Sequence, residues 1–222
     1  IVFVAAEKNS VIVDYLNENY ADKIMAALYD KTGKAAFSLA ISEPQAGSDN
    51  YGMTTVATRK NGKVYLNGSK TFITHGDVAP YCLVVAKDET PDRSNKDMSM
   101  WLFPADMPGV KFARLHKIGQ GTTSFAELYL DNVELEESCL VGTQGKGFLQ
   151  LMKNFEIERL LICMQTLGLA EAAMDDAAAY ASQRMQFGKP IGSYQAVKHH
   201  LADVARYIEQ AKPVLYRAAH AL

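Results

Sequence analysis

Between Ser42 and Asp49 the chain carries two serine hydroxyls, two carboxylates, a proline and a glycine, in the run A-I-S-E-P-Q-A-G-S-D-N-Y-G. The run follows Ala36, Phe37, Leu39 and Ile41, an apolar pattern that reads as a buried strand. A strand that stops in a Pro/Gly turn with hydroxyls and free backbone amides is suited to holding a polar ligand. Two other places offer reactive groups. Glu158 and Arg159 adjoin in a helical run, a carboxylate beside a guanidinium. Arg184 precedes Phe187-Gly188-Lys189-Pro190-Ile191-Gly192, where a guanidinium suited to a pyrophosphate, a ring and two glycines that allow close backbone approach come together.

The elements that must position these groups are legible in the pattern. Residues 1 to about 33 read as helix, with Leu16, Tyr20, Ile24, Ala27 and Leu28 at helical spacing. Residues 35 to about 145 read as β. Thr54–Thr58 and Lys63–Leu66 flank Asn61-Gly62, a strong hairpin signal. Further strands are predicted at Lys70–Thr74, Tyr81–Ala86, Met98–Phe103, Val110–Ala113 and Phe125–Val133, with a surface loop over Lys87–Lys96. From Gly147 a long helix to about Arg184 is apolar over much of its surface and is expected to be buried in a bundle. After the Phe187–Gly192 break, Ser193 is the expected N-cap of a helix carrying Val197, Leu201, Val204, Ile208 and Leu215, with Pro213 predicted to kink it. The domain reading is residues 1–34 as the end of a helical part, 35–145 as a β domain and 146–222 as the first part of a helical bundle.

The 222 residues are 48% hydrophobic, enough for one large or two small cores. A formal net charge of −2 argues against nucleic-acid binding as a main role. Cys82, Cys139 and Cys163 are widely spaced and read as buried apolar residues in a reducing compartment. No apolar run approaches a membrane span. No histidine has companions at metal spacing, so no metal is expected. Ile1 and the unfinished helical pattern at Tyr216–Leu222 make a segment of a longer protein the expected reading.

Four runs, in order, give the chain a resemblance to the acyl-CoA dehydrogenase family: A-I-S-E-P-Q-A-G-S-D, then K-T-F-I-T at Lys70–Thr74, F-E-I-E-R at Phe155–Arg159, and R-M-Q-F-G-K-P-I-G with Gln195. The resemblance implies an α+β multidomain fold, with N-terminal helices, a central β-barrel or sandwich and a C-terminal helical bundle, both helical parts incomplete. It implies FAD as cofactor and an acyl-CoA or enoyl-CoA substrate. It also implies an electron-transferring flavoprotein as acceptor and a homo-oligomer, dimer or tetramer, in a bacterial cytoplasm or a mitochondrial matrix.

By that resemblance Leu39, Ala40, Ile41 and Ser42 line the flavin, with Ser48 at the turn. Phe72 lies against the ring, Ile73 and Thr74 bond near N5, and Arg184, Phe187 and Gln195 hold the ADP half across a subunit interface. Taken singly, Phe72 is equally an ordinary core aromatic and Ser42 and Ser48 turn caps; one flavin site would use all of them. Ser48, Phe155, Glu156 and Arg159 match substrate-contacting positions. Glu158 stands where some members place the base that removes the proton α to the thioester, a task suited to a desolvated carboxylate. Other members carry that glutamate nearer the end of the chain. His75 is either a flavin-edge or a surface-turn residue. The texture of F-E-I-E-R and F-G-K-P-I-G is similar to the crotonobetainyl-CoA reductase-like branch. An acyl-CoA oxidase or flavin monooxygenase on the same fold, and a non-catalytic CoA-ester-binding relative, are the alternatives.

Overall fold

The computed structural model describes residues 37–89 and 97–221. The helix expected over residues 1–33, and the part of the expected loop beyond residue 89, lie outside the described residues. The chain divides after Met152 into two compact units.

Strands β1 (Ser38–Ala40), β2 (Val56–Lys60), β3 (Lys63–Thr74), β4 (Tyr81–Asp88), β5 (Met98–Pro104), β6 (Val110–Arg114), β7 (Phe125–Leu135) and β8 (Leu140–Val141) form one sheet in the first unit. Its order is β6-β7-β3-β2-β4-β5-β8, with β1 pairing β4 in parallel. The β2–β3 hairpin turns at Asn61 (φ 53°) and Gly62 (φ 75°), the paired left-handed conformation that Asn-Gly favours. Sequence patterning split β3 into two strands. The structure joins them into one of 12 residues, interrupted by register shifts at Leu66/Gly68 and Lys70/Ile73.

Ala57, Val64, Leu66, Val84, Trp101, Phe103, Leu128 and Val133 belong to one buried cluster. β7 and β5 lie toward opposite ends of the strand order yet share that core, so the sheet curls around it. Of the barrel or sandwich expected from the sequence, it does not close into a barrel: among the described residues no ladder joins β6 to β8. Strand β8 has two residues, too few to carry pairing onward. β4 and β5 are buried on both faces and read as continuous apolar runs.

Gly109 sits at φ +86°, where an added Cβ would lie 2.2 Å from the Asp131 carbonyl oxygen. Gly109→Ala is expected to cost about 2 kcal/mol, read as a lower urea midpoint at unchanged slope.

Helix α1 (Gly147–Gln183) opens against β5, where a Cβ on Gly147 would meet the Met98 carbonyl oxygen at 2.8 Å. In the second unit α1 continues to a short hairpin, β9 (Met185–Gln186) with β10 (Lys189–Pro190), and then α2 (Gln195–Ala221). Phe187 (φ 50°) and Gly188 (φ 76°) make the hairpin turn. Ser193 is not the cap of α2: its hydroxyl donates to the Pro190 carbonyl, and the Tyr194 carbonyl accepts the first helical bond from Lys198 N. α2 runs through Pro213. A Cβ on Gly192 would lie 3.0 Å from Ala181 O, so this glycine serves packing on α1 rather than approach to a ligand. Most of α1 is not buried as expected. Ile162, Leu169 and Tyr180 are exposed, because one neighbouring helix covers only one stripe.

Candidate functional site

The turn after β1 is built by its own backbone. Glu43 and Ala46 exchange both N–H···O bonds at 3.0 Å, closing Pro44-Gln45 into a tight loop. The Asp49 carboxylate accepts from Tyr51 N at 3.1 Å, and the Tyr51 ring packs 5.3 Å from Phe148. Gly47 and Ser48 are left on the surface, and a Cβ on Gly47 would meet nothing within 4 Å. Thr71 N donates to the Ser42 carbonyl at 2.8 Å, so the chain leaving β1 runs beside the middle of β3.

That stretch of β3 is irregular. Lys70, Thr71 and Ile73 are buried, while Phe72 is 63% exposed with φ 61°. A bulky residue in the left-handed region costs on the order of 1–3 kcal/mol and calls for a reason. The register shift turns Phe72 out of the core, and its ring stacks on Phe125 at 5.8 Å and 21°. The Lys117 ammonium lies 5.5 Å from the centre of the Phe125 ring. Leu39, Ile41, Ser42 and Thr74 are half-buried nearby in the chain, and among the described residues the hydroxyls of Ser42, Ser48 and Thr74 have no hydrogen-bond partner. Ala40 and Ile73 point their side chains into the core, which leaves only their backbone to face a ligand.

Under this surface lies a buried ion pair. The Lys70 ammonium donates to Glu43 Oε1 and to the Ile41 carbonyl, both at 2.9 Å, and both charged side chains are fully buried. Glu43 Oε1 also accepts from Thr55 N at 2.9 Å. Its Oε2 accepts from Thr54 N (2.6 Å), Thr54 Oγ1 (2.9 Å) and Gln45 Nε2 (2.7 Å). Burial alone would raise the Glu43 pKa; Lys70 and the Thr54 and Thr55 donors outweigh it and hold the carboxyl at about 2. Burial holds the Lys70 ammonium down, at about 8, against the pull of Glu43. A depressed carboxyl pKa contributes stability that is present above pH 4.5 and lost as pH falls toward 2. About 3 kcal/mol is expected to disappear over that window, seen by urea unfolding at stepped pH and absent in Glu43→Gln.

Near the end of β3, the His75 backbone N–H (φ 60°) donates to the Ser124 carbonyl, and the residue borders a cavity of about 430 Å³ with Arg114, His116, Lys117 and Thr122. Burial and the Lys117 charge lower its pKa, which favours the neutral imidazole. Asp77 in the same loop is already engaged by Arg114 and Ser124.

In the second unit, Glu158 Oε1 accepts from Asn154 Nδ2 at 2.7 Å, one turn earlier on α1. Burial raises the Glu158 pKa against that hydrogen bond. Arg159 does not pair with it; its guanidinium stands 6.0 Å from the Phe155 ring. Glu156 and Arg159 open a largely apolar groove of about 680 Å³ between α1 and α2, with Leu160, Cys163, Tyr207 and Leu215. Cys163 is therefore exposed, not buried as the sequence suggested; Cys82 is buried, its thiol pushed up to about 12 by that burial. Around the hairpin, Arg184 and Phe187 are exposed, and Phe187 meets the Tyr194 ring edge-on at 6.4 Å. Gln195 opens α2, with Nε2 3.4 Å from His199 Nε2. Among the described residues no three His, Cys, Asp or Glu side chains are grouped to hold a metal, and no helix is long and apolar enough to cross a membrane.

Sequence reasoning placed Glu43 and Lys70 in their motifs but gave them no role. The available signal was two opposite charges, Glu43 in the turn after β1 and Lys70 among uncharged residues of β3; that they meet across 27 residues is a property of the fold.

Residues 38–133 match the model for "Acyl-CoA dehydrogenase, middle domain", and residues 145–222 the one for "Acyl-CoA dehydrogenase, C-terminal domain". The chain belongs to the acyl-CoA dehydrogenase family. Among its relatives is the probable acyl-CoA dehydrogenase YdiO of Escherichia coli, 49% identical over 189 residues, which cover 85% of this chain and 49% of that protein. Butyryl-CoA dehydrogenase from Megasphaera elsdenii superposes with a TM-score of 0.77 at 34% identity, over 82% of this chain and 48% of that one. An acyl-CoA dehydrogenase from Geobacillus kaustophilus gives 0.84 at 28% identity, over 96% and 57%. The chain spans about half the length of the curated relatives it matches.

Proposed function

We propose that this chain is part of an FAD-dependent acyl-CoA dehydrogenase that desaturates an acyl-CoA thioester at the α,β bond, or runs the reverse enoyl-CoA reduction. The observation that carries this reading is Phe72: an exposed aromatic kept in a left-handed conformation beside a strand end whose hydroxyls have no hydrogen-bond partner among the described residues. That donor set fits a flavin, which needs an apolar face against its ring and hydrogen bonds at its edge. FAD, when bound, supplies a two-electron acceptor for the hydride from the β carbon.

The chain's own residues do the rest. Leu39, Ile41 and Phe72 offer apolar contact to the ring. Ser42, Ser48 and Thr74 offer hydroxyls, with Ala40 and Ile73 contributing backbone. Arg184, Phe187 and Gln195 hold the ADP half of FAD in a homo-oligomer. Glu158 takes the α proton. Asn154 occupies Oε1, which leaves Oε2 as the acceptor, and desolvation makes it a stronger base. Arg159, with Phe155 and Glu156, meets the CoA portion, the guanidinium pairing with phosphate. Electrons leave to an electron-transferring flavoprotein. Residues 35–145 are read as the β domain and 146–222 as the start of the bundle. The F-E-I-E-R and F-G-K-P-I-G runs support the crotonobetainyl-CoA reductase-like branch within the family.

Phe72→Gly tests the carrying observation. It is expected to raise the stability of the FAD-free protein by up to about 1 kcal/mol, because glycine adopts positive φ without strain. It is also expected to weaken FAD binding at least tenfold in a fluorescence titration. Unchanged FAD affinity would remove Phe72 from the site.

A further inference from the structure

The ring-facing part of the surface assigned above to FAD draws chiefly on two chain segments, Leu39–Ser42 and Thr71–Thr74, separated in sequence by the turn and the β2–β3 hairpin. One backbone bond, Thr71 N to Ser42 O, joins them directly. Among the described residues, the other hydrogen bonds that tie them run through Lys70 and Glu43. Lys70 leaves β3 one residue before Thr71, and its ammonium reaches the carbonyl of Ile41 and the carboxylate of Glu43, the residues on either side of Ser42. Glu43 passes the tether on to Thr54 and Thr55 ahead of β2, through both backbone amides and the Thr54 hydroxyl. A single buried lysine therefore fixes the chain before and after Ser42, and it does so beside the register shift that turns Phe72 outward.

We propose that Lys70, with Glu43, is a positioning residue for the cofactor site: the pair holds the Ile41–Ser42 strand end against Thr71–Thr74 so that the flavin-facing surface is formed before FAD arrives. The proposal rests on the flavin reading of that surface. A fully buried charge pair is seldom the most stable filling of a core, and apolar residues of similar volume commonly do as well; in some proteins what such a pair adds is one fixed geometry. An ammonium with its donors directed to a carbonyl and a carboxylate fixes both directions and lengths, which an apolar contact does not. A site formed in advance loses less freedom on binding, so the expected consequence is in FAD affinity and in the environment of its ring.

Hydrogen exchange on the unaltered, FAD-free protein reads the latch without any substitution. The amides of Thr54, Thr55 and Thr71 are expected to be as slow as those of the β4–β5 ladder. Exchange at unstructured rates, with protection only after FAD is added, overturns the proposal. The Glu43→Gln/Lys70→Met double variant removes both charges together. It is expected to unfold cooperatively, to bind FAD at least tenfold more weakly, and to shift the visible flavin band relative to the unaltered protein. A folded double variant with unaltered FAD affinity and spectrum overturns the positioning role. If the double variant does not fold, the exchange rates of the unaltered protein decide. Unaltered protein that takes up no FAD refutes the flavin reading, and the positioning role with it. FAD uptake by the unaltered protein, matched by the double variant, refutes the positioning role alone.

Discussion

Glu158→Gln is expected to lower the rate of substrate-dependent flavin reduction by about 10²- to 10⁴-fold, the range a positioned general base contributes, while FAD stays bound. Glutamine keeps the shape and the acceptor for Asn154 Nδ2, so the helix and its packing are undisturbed. What is lost is the second oxygen, Oε2, as a proton acceptor. Raising pH should increase the rate in the unaltered protein as Glu158 loses its proton, with a midpoint above the ordinary carboxylate value because burial raises it. The variant should lose that limb of the profile. Rapid-mixing measurement of flavin bleaching by an acyl-CoA, on unaltered and variant protein loaded with FAD, reads both. Bleaching of Glu158→Gln at the unaltered rate would assign proton abstraction to another carboxylate.

Lys70→Met should be the most damaging single substitution for the β unit, costing about 3–5 kcal/mol. Methionine fills a similar volume, so packing is not the cause. The substitution leaves the Glu43 carboxylate, fully buried, without its cation. Adding Glu43→Gln should recover part of the loss, because the amide carries no charge, although its one oxygen can accept from only one of the Thr54 and Thr55 amides. The double-mutant cycle, measured by urea unfolding, should therefore give a coupling energy of about 2 kcal/mol or more. Additive losses would mean that the two residues contribute independently.

Local signals were legible where the chain decides its own conformation. Asn61-Gly62 specified a hairpin because both residues tolerate positive φ, and the structure turns there. The 37-residue helix from Gly147 followed from a sustained apolar period with no proline and a single interior glycine, Gly168, and it ends one residue before the arginine expected to close it. What the sequence could not give depends on partners. The two register shifts of β3 exist only against β7, so the patterning cut that strand in two. Sheet closure depends on pairing at the short β8 edge, which no local signal reports. Ser193 carries the right side chain for an N-cap, but the hairpin before it directs its hydroxyl to Pro190. The candidate site divides the same way. Its residue types were readable from the four motifs. The inward aim of Ala40 and Ile73, the outward turn of Phe72 and the Lys70–Glu43 pair beneath them are tertiary facts.

The most direct test of the account is an anaerobic spectrum. The purified protein is loaded with FAD and titrated with acyl-CoA thioesters of graded chain length. The flavin band near about 450 nm is expected to bleach in proportion to one of them, and to return on adding the corresponding enoyl-CoA. Protein that takes up FAD yet keeps its full flavin band with every thioester, in both directions, would contradict the dehydrogenase reading.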